Sequence, residues 1–343
     1  MTAPIRAAVI GYGLAGRVFH TSLIAADERY SLDAIVTSDP GRVLEAKTRF
    51  PAATIFESVD ALLAQHDSFD LAVVAAPTPQ HASLAAQTIE SGLATVVDKP
   101  LAVRASEIES LIDSASNRGV LLTAFHNRRW DGDFLTVQKL LAEGKLGDVW
   151  RFESRFEWLN PRARPAWKSG TTGAAGGGVA YDLGSHLIDQ AIQLFGPVAD
   201  VYGELDQHRT DSSNDDDSFI ALTHDSGVRS HLWMSSLVAQ RGPRFRMLGS
   251  GSAYTKWGLD PQESQLAAGL STHDAAFGTE EPAAFGRLGT DGQTEQIPTE
   301  HGGYTEFYGQ LAEAMLHGSP VPVDPRDTLR PVQILEQLHS GHQ

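Results

Sequence analysis

Three side chains have types and positions suited to moving a proton at a carbon–oxygen group. The first of them, Lys99, follows Asp98 at the end of the predicted strand, residues 94–97. A lysine at a strand end can donate to a substrate oxygen, or relay its proton when its pKa is lowered. Asp182 and His186 are four residues apart in a segment predicted to be helical, so both would project from one face. Since histidine exchanges its proton near neutral pH, this pair suits the oxidation of an alcohol.

Simpler interpretations of the same residues stay open. A lysine at the end of a strand is often only solvated, and Asp182 and His186 could lie on an ordinary capped surface helix. Asp189 continues their helical face, so the three residues could also bind a metal ion. One histidine and two carboxylates on a single stripe rarely complete a coordination sphere, and we therefore predict no metal.

A glycine pattern near the N-terminus predicts a phosphate site. Gly11, Gly13 and Gly16 follow the apolar residues 7–10 and precede an amphipathic segment, residues 18–26. In this context the first glycine permits a sharp turn, the second lets a pyrophosphate approach the backbone, and the third lets the helix pack close to the strand. The N–H groups at the helix start would face the phosphates. The alternative is a purely architectural strand-to-helix turn.

The end of the second predicted strand, residues 32–36, should meet the adenosine ribose of such a cofactor. An acidic residue there would bind a 2′-hydroxyl, whereas Ser or Thr with a nearby Arg would accommodate a 2′-phosphate. Ser38 and Arg42 favour NADP, and Asp39 favours NAD. Ser38 is placed nearer the ribose, so we favour NADP. Asp39 could equally serve to start the next helix together with Pro40.

The order of predicted elements indicates an α/β protein with two domains. Strand and helix signals alternate over residues 1–124, which is typical of a Rossmann parallel sheet. Residues 125–343 instead contain several alternating strands, which predict an α+β domain with a large, mostly antiparallel sheet that is open on one face. We assign the first region to dinucleotide binding. Within the second region, residues 210–217 are interpreted as a solvated loop and residues 259–294 as an irregular excursion.

Composition limits the classes of partner. The chain has 343 residues with 27 Lys and Arg against 43 Asp and Glu, a formal net charge of −16, which argues against nucleic acid and anionic membranes. It has no cysteine, which excludes disulfides, thiolate metal sites and cysteine nucleophiles. Without a signal-peptide core or an apolar run of bilayer-spanning length, we expect a cytoplasmic protein.

Together the motifs resemble the Gfo/Idh/MocA family of NAD(P)-dependent oxidoreductases along nearly the whole chain. The segments that carry the resemblance are Gly11-x-Gly13-x-x-Gly16, Pro77-Thr78-x-x-His81, Asp98-Lys99-Pro100 and Gly176-Gly177-Gly178-x-x-x-Asp182-x-x-x-His186. Two further blocks, residues 125–131 and 181–190, look most like the NADP-dependent scyllo-inositol dehydrogenase subgroup.

The resemblance implies a hydride transfer between a polyol or sugar carbinol and nicotinamide. In this scheme His186 is the general acid/base, Lys99 polarises the reacting oxygen, and Asp182 holds an adjacent hydroxyl. It also implies that residues 125–343 form the substrate-binding and oligomerisation domain, with a homodimer or homotetramer formed through the second sheet. The positions expected to contact the dinucleotide are Gly11, Tyr12, Gly13, Leu14, Gly16, Ser38, Asp39, Arg42, Pro77, Thr78, His81, Asp98, Lys99, Asn127 and Trp167.

Two residues depart from the family pattern, and two other functions remain as alternatives. Asp98 replaces the usual glutamate, and Lys168 stands where relatives often have arginine, which puts cofactor affinity in question. One alternative is a glycosidase that oxidises its sugar transiently with retained NAD. The other is a non-catalytic dinucleotide-binding regulator, which the retention of Lys99 and His186 disfavours.

Overall fold

The computed structural model describes residues 3–160 and 169–341. The chain divides into two compact units. The first comprises Met1–Asn127, Gln262–Phe277 and Gly303–Leu329, and the second comprises Arg128–Pro261, Gly278–Gly302 and Arg330–Gln343. The division into two domains at a single boundary after residue 124 stays a prediction. The compact units themselves are discontinuous, because two later segments group with the N-terminal residues.

The strands are given in chain order. They are β1 (Ile5–Ile10), β2 (Tyr30–Val36), β3 (Thr54–Phe56), β4 (Leu71–Val74), β5 (Ala94–Asp98), β6 (Leu122–Phe125), β7 (Val149–Glu157), β8 (Val198–Asp206), β9 (Asp217–His224), β10 (Arg229–Ser235), β11 (Phe245–Gly249), β12 (Ala253–Lys256), β13 (Gly286–Thr290) and β14 (Gln293–Ile297).

The α-helices are numbered in the same way. They are α1 (Thr21–Ala26), α2 (Pro40–Arg49), α3 (Val59–Leu63), α4 (His81–Glu90), α5 (Ala105–Arg118), α6 (Gly132–Ala142), α7 (Ser185–Phe195), α8 (Gln262–Ala267), α9 (Tyr304–His317) and α10 (Leu329–Ser340). Two of them are entered through wide π-helical turns, Ala15–His20 before α1 and Ala180–Gly184 before α7.

The first unit is built on a parallel sheet with the strand order β3-β2-β1-β4-β5-β6. In the register, Val9 of β1 pairs with Ile35 of β2 on one side and with Val73 of β4 on the other. All four residues of β4 are buried, as expected of a strand whose two faces are both covered by helices. The predicted Rossmann sheet is therefore confirmed.

The second unit contains a sheet in the order β14-β13-β12-β11-β7-β10-β9-β8. Among the paired strands described in this sheet, only β7 and β10 run parallel to each other. Phe152 and Leu232 point into the core, whereas on the other face Arg155 stacks over the ring of Trp233 at 3.9 Å. The predicted mostly antiparallel second sheet is confirmed.

Two sequence interpretations of local segments were wrong. Residues 259–294 are not an irregular excursion, because they contain α8, β13 and the start of β14. Strand β14 lacks an apolar alternation, since residues 293–296 are all exposed, and it is held by backbone pairing with β13. Residues 210–217 are not simply solvated, since Asp215 and Asp216 are buried.

Candidate active site

The glycine turn after β1 has the geometry that phosphate binding needs. Gly11 has a φ of +102°, and a Cβ there would lie 2.5 Å from the carbonyl oxygen of Ala75. A Cβ on Gly16 would collide with the carbonyl oxygen of Gly11, whereas a Cβ on Gly13 would meet nothing within 4 Å. Gly11 and Gly16 are therefore required by the turn itself, and Gly13 leaves bare backbone beside open space. That combination fits a bound pyrophosphate.

Tyr12 and Leu14, which lie between these glycines, have different surroundings. Tyr12 is buried and packs against Ile35, Ala46 and Ala53, so its side chain belongs to the core beneath the turn. Leu14 is 59% exposed and directly precedes the π-helical turn that leads into α1. Of the two side chains, only that of Leu14 is presented to solvent.

At the end of β2, Asp39 has a defined structural role. Its Oδ1 accepts a hydrogen bond from the backbone N–H of Arg42 at 2.9 Å, which caps α2, and Pro40 is the first helical residue. The interpretation of Asp39 as a helix start is thus realised. Ser38 and the Arg42 side chain are exposed.

The loops after β4 and β5 are joined through one buried imidazole. Pro77 is exposed and Thr78 half-buried, and His81 at the start of α4 is 1% exposed. The His81 ring lies with Nε2 2.8 Å from the carbonyl oxygen of Ala76 and Nδ1 2.7 Å from that of Pro100. Both contacts are hydrogen bonds when both ring nitrogens carry a proton. His81 therefore ties together two strand ends at the edge of the sheet where ligands bind in open α/β folds.

Lys99 lies at this same edge of the first unit. The backbone N–H of Lys99 donates to Oδ1 of Asp98 at 2.9 Å, and the Lys99–Pro100 peptide bond is cis. Both Asp98 and Lys99 are half-buried. The aspartate that replaces the usual glutamate is thus short enough to bind the next peptide in the chain. Asn127 follows β6 and is buried, and Trp167 lies outside the described residues.

The sequence analysis did not single out His20, a buried histidine that packs against the end of β6. His20 Nδ1 lies 2.7 Å from the hydroxyl of Tyr308, and the His20 ring centroid lies 4.4 Å from that of Phe125 in β6. Burial lowers the pKa of His20 to about 4, although the charge of Asp98 opposes this shift. The cluster is therefore a neutral, packed support for the ends of β5 and β6. Its only sequence signal was a polar residue inside an apolar segment.

In the second unit, Asp182 and His186 do not share one regular α-helix. Asp182 is exposed and lies in the π-helical turn Ala180–Gly184, whereas His186 is buried in α7. The ring of His186 meets that of Phe156 edge to face, with centroids 6.1 Å apart. Wide turns of this kind are frequent at functional sites. The predicted single helical face is replaced by an exposed carboxylate one turn before a packed imidazole.

Asp189 and Gln190, which follow His186 in α7, hold this helix within the second unit. Asp189 accepts two hydrogen bonds from the Arg129 guanidinium, at 2.6 and 2.9 Å. Gln190 donates to the carbonyl oxygen of Arg128 at 2.9 Å and accepts from Arg244 at 2.8 Å. Asp189 is thus an ion-pair partner. Within residues 3–160 and 169–341, no group of three or more His, Asp or Glu side chains is arranged to hold a metal ion.

Two arginines pack on the aromatic ring that lies beside His186. The guanidinium carbons of Arg128 and Arg244 lie 5.0 and 4.1 Å from the centroid of the Phe156 ring, which itself contacts His186. Each of these arginines is also paired with a buried carboxylate, since Arg128 Nη1 lies 3.4 Å from Oδ2 of Asp131 and Arg244 Nε lies 3.7 Å from Oδ2 of Asp133. The charges of the two arginines are therefore balanced by neighbouring carboxylates.

Comparison with known proteins agrees with this geometry. Residues 5–126 match the model of the oxidoreductase family with an NAD-binding Rossmann fold, and residues 134–255 match the GFO/IDH/MocA C-terminal domain. The chain belongs to the Gfo/Idh/MocA family of oxidoreductases. The resemblance inferred from the motifs is confirmed, as is a Rossmann domain of the NAD-binding type.

Individual members of the Gfo/Idh/MocA family match along almost the full chain. The scyllo-inositol 2-dehydrogenase (NADP(+)) IolW of Bacillus subtilis is 34% identical, over 97% of this chain and 92% of its own. The uncharacterized oxidoreductase YdgJ of Escherichia coli is 35% identical, over 98% and 96%. The solved structure of the putative oxidoreductase yvaA from Bacillus subtilis has a TM-score of 0.90 at 32% identity, over 98% and 95%. No helix among the described residues is both long and apolar enough to cross a bilayer.

Proposed function

We propose that this Gfo/Idh/MocA oxidoreductase is a dehydrogenase that transfers hydride between the carbinol carbon of an inositol-like polyol or sugar and a nicotinamide cofactor. The observation that carries the proposal is that Lys99, Asp182 and His186 are all present at their motif positions in a chain 34% identical to a scyllo-inositol 2-dehydrogenase. A non-catalytic regulator would have no need of them.

NADP is the cofactor that we favour over NAD. Ser38 and Arg42 are exposed after the end of β2, where a 2′-phosphate would need hydrogen-bond donors. The carboxylate of Asp39 is already engaged in capping α2. When bound, the cofactor supplies the acceptor or donor of hydride, and the protein supplies orientation and electrostatics. Gly11, Gly13 and Gly16 would hold its pyrophosphate.

Three residues would act on the substrate. His186 would take the proton of the reacting hydroxyl as the carbon is oxidised and return it in the reverse direction. Lys99 Nζ would donate to the reacting oxygen and help relay its proton. Asp182, which is exposed, would accept a hydrogen bond from a neighbouring hydroxyl and so fix the orientation of the substrate.

We also propose a homodimer or homotetramer that assembles through the second sheet, in a cytoplasmic protein. On the face of this sheet away from the core, Phe219 and Trp233 lie with ring centroids 5.0 Å apart, and Tyr202 is 56% exposed. Aromatic rings on an exposed sheet face are typical of a protein interface. Light scattering on the protein as it elutes from a size-exclusion column would give its molar mass and from that the number of subunits.

The proposed activity is tested by following absorbance at 340 nm with NADP and with NAD in parallel. Inositol isomers and common aldoses serve as substrates, and the Lys99→Ala and His186→Asn variants serve as controls. Reduction of NADP by an inositol, lost in both variants, would support the proposal. Flat traces with every substrate would contradict it, and flat traces from a protein that retains tightly bound NAD would favour a glycosidase.

A further inference from the structure

The acidic segment before β9 is part of the interior of the second unit. Asn214, Asp215 and Asp216 are 4%, 6% and 0% exposed. Asp216 holds its own loop together, since its Oδ1 accepts from the backbone N–H of His208 at 2.9 Å and its Oδ2 from that of Arg209 at 2.8 Å. The carboxylate of Asp216 is thus used locally, whereas that of Asp215 points to another segment.

Asp215 binds the start of the turn that carries Asp182. Its Oδ2 accepts a hydrogen bond from the backbone N–H of Ala180 at 2.7 Å and another from the hydroxyl of Ser218 at 2.8 Å. Its backbone carbonyl also accepts from the N–H of Val179 at 3.1 Å. The first N–H groups of a helix lack partners within the helix, and a carboxylate there is further stabilised by the helix dipole.

The glycine run before Val179 makes this close approach possible. Gly178 has a φ of +91°, and any Cβ on it would collide with Oδ1 of Asp215. A Cβ on Gly177 would collide with the carbonyl oxygen of Thr171, which also accepts a hydrogen bond from Asn214 at 2.6 Å. The glycines and the acidic segment are therefore complementary parts of one contact.

The last helix, α10, packs against the same contact around Asp215. The ring of His339 in α10 lies 5.0 Å from the ring of Tyr181, and its Nε2 lies 3.7 Å from Oδ1 of Asp215. A Cβ on Gly173 would collide with the His339 ring. The last helix therefore contacts both Tyr181 and Asp215, and Asp215 is the carboxylate that joins these segments.

We propose that Asp215 is a positioning residue for the reaction, because its carboxylate fixes the backbone at Val179 and Ala180 and through it the turn that presents Asp182. This inference rests on the proposed function for the role of Asp182 itself. A displacement of about 1 Å at such a position can lower a rate about 100-fold. We expect kcat to fall by about this factor in Asp215→Ala and by about tenfold in Asp215→Asn, whose amide oxygen can still accept from Ala180.

The test combines kinetics with hydrogen exchange on the full chain. Asp215→Asn and Asp215→Ala are compared with Asp211→Asn, a matched control in the same segment whose side chain is exposed. Amide exchange is followed by mass spectrometry in peptides that cover residues 173–184, in peptides of β7 and β11 elsewhere in the second unit, and in peptides of β1 and β4 in the first unit. NADPH affinity is measured by fluorescence, since the residues expected to bind the cofactor at the glycine turn lie in the first unit.

The expected result is faster exchange confined to residues 173–184, a lower kcat and an unchanged NADPH affinity in both Asp215 variants, with Asp211→Asn like the wild type. Wild-type exchange and kcat in both Asp215 variants would overturn the positioning role. Faster exchange throughout the second unit would also overturn it, because Asp215 would then support the whole unit. If the wild type has no dehydrogenase activity, the proposed function fails, and the exchange data still decide whether Asp215 holds the turn.

Discussion

Neutralising Asp189 should destabilise the second unit far more than neutralising an exposed aspartate of equal geometry. The Asp189–Arg129 pair is bidentate, with hydrogen bonds of 2.6 and 2.9 Å, and its side chains are only 3% and 12% exposed. The Asp70–Arg6 pair in the first unit has similar bonds of 2.8 and 3.0 Å but side chains 38% and 42% exposed. The two pairs therefore differ mainly in burial.

The expected cost follows from that difference. Removing one partner of a buried ion pair leaves an uncompensated charge and costs about 3–5 kcal/mol. Asp189→Asn keeps one acceptor oxygen, so we expect a loss of about 3 kcal/mol. For a unit of this size, each kcal/mol lowers the melting temperature by about 2–4 °C, which gives a shift of about 6–12 °C. Asp70→Asn should cost about 1 kcal/mol or less, because water solvates the Arg6 charge that is left.

Calorimetry and urea unfolding at neutral pH measure both variants against the wild type. A third variant, Asp189→Leu combined with Arg129→Met, removes both charges and should be more stable than Asp189→Leu alone, since a buried pair can be replaced by apolar groups at little cost. Equal losses for Asp189→Asn and Asp70→Asn would refute the reasoning, because burial would then not determine the strength of these pairs.

Three further predictions concern the first unit. Gly11→Ala should lower the free energy of unfolding by about 2 kcal/mol or more, because the φ of Gly11 is positive and a Cβ there would collide with Ala75. Gly13→Ala should leave the melting temperature unchanged and weaken NADPH binding in fluorescence titrations. Burial lowers the pKa of His20 in the folded protein to about 4, so on acidification the unfolded chain binds a proton at this histidine before the folded protein does. The free energy of unfolding should therefore fall by up to about 3 kcal/mol between pH 6.5 and pH 4. The fall should be smaller in His20→Gln, and urea midpoints across this pH range measure it. Arg42→Ala should weaken NADPH binding roughly tenfold and leave NADH binding unchanged, and an equal effect on both would exclude a contact with the 2′-phosphate.

The strand ends of the first unit were predictable because their signals are local. A buried parallel strand needs an apolar run, and the residue that follows the run must lie at the edge of the sheet. Lys99, His81 and the glycine turn could therefore be placed from the sequence alone. The spatial reasons for Gly11 and Gly16 also agree with those inferred from the motif, since each meets a backbone carbonyl.

The surroundings of His186 and Asp182 could not be predicted in the same way. The burial of Asp215 depends on the N–H of Ala180, 35 residues earlier, while its own neighbours are polar residues typical of loops. The π-helical turn before α7 disrupts the spacing on which a helical face was inferred. Asp189 looked equivalent to Asp182 on that face, yet Arg129 holds it in an ion pair. These features arise from long-range contacts that a local pattern does not encode.

Transfer of deuterium from a labelled substrate tests the central claim most directly. An inositol or sugar that carries deuterium at its carbinol carbons is incubated with the enzyme and excess NADP, and the reduced cofactor is analysed by mass spectrometry. The account predicts one deuterium in each free NADPH molecule formed, and no labelled product with His186→Asn. Substrate turnover without deuterium in free reduced cofactor would contradict a net hydride transfer.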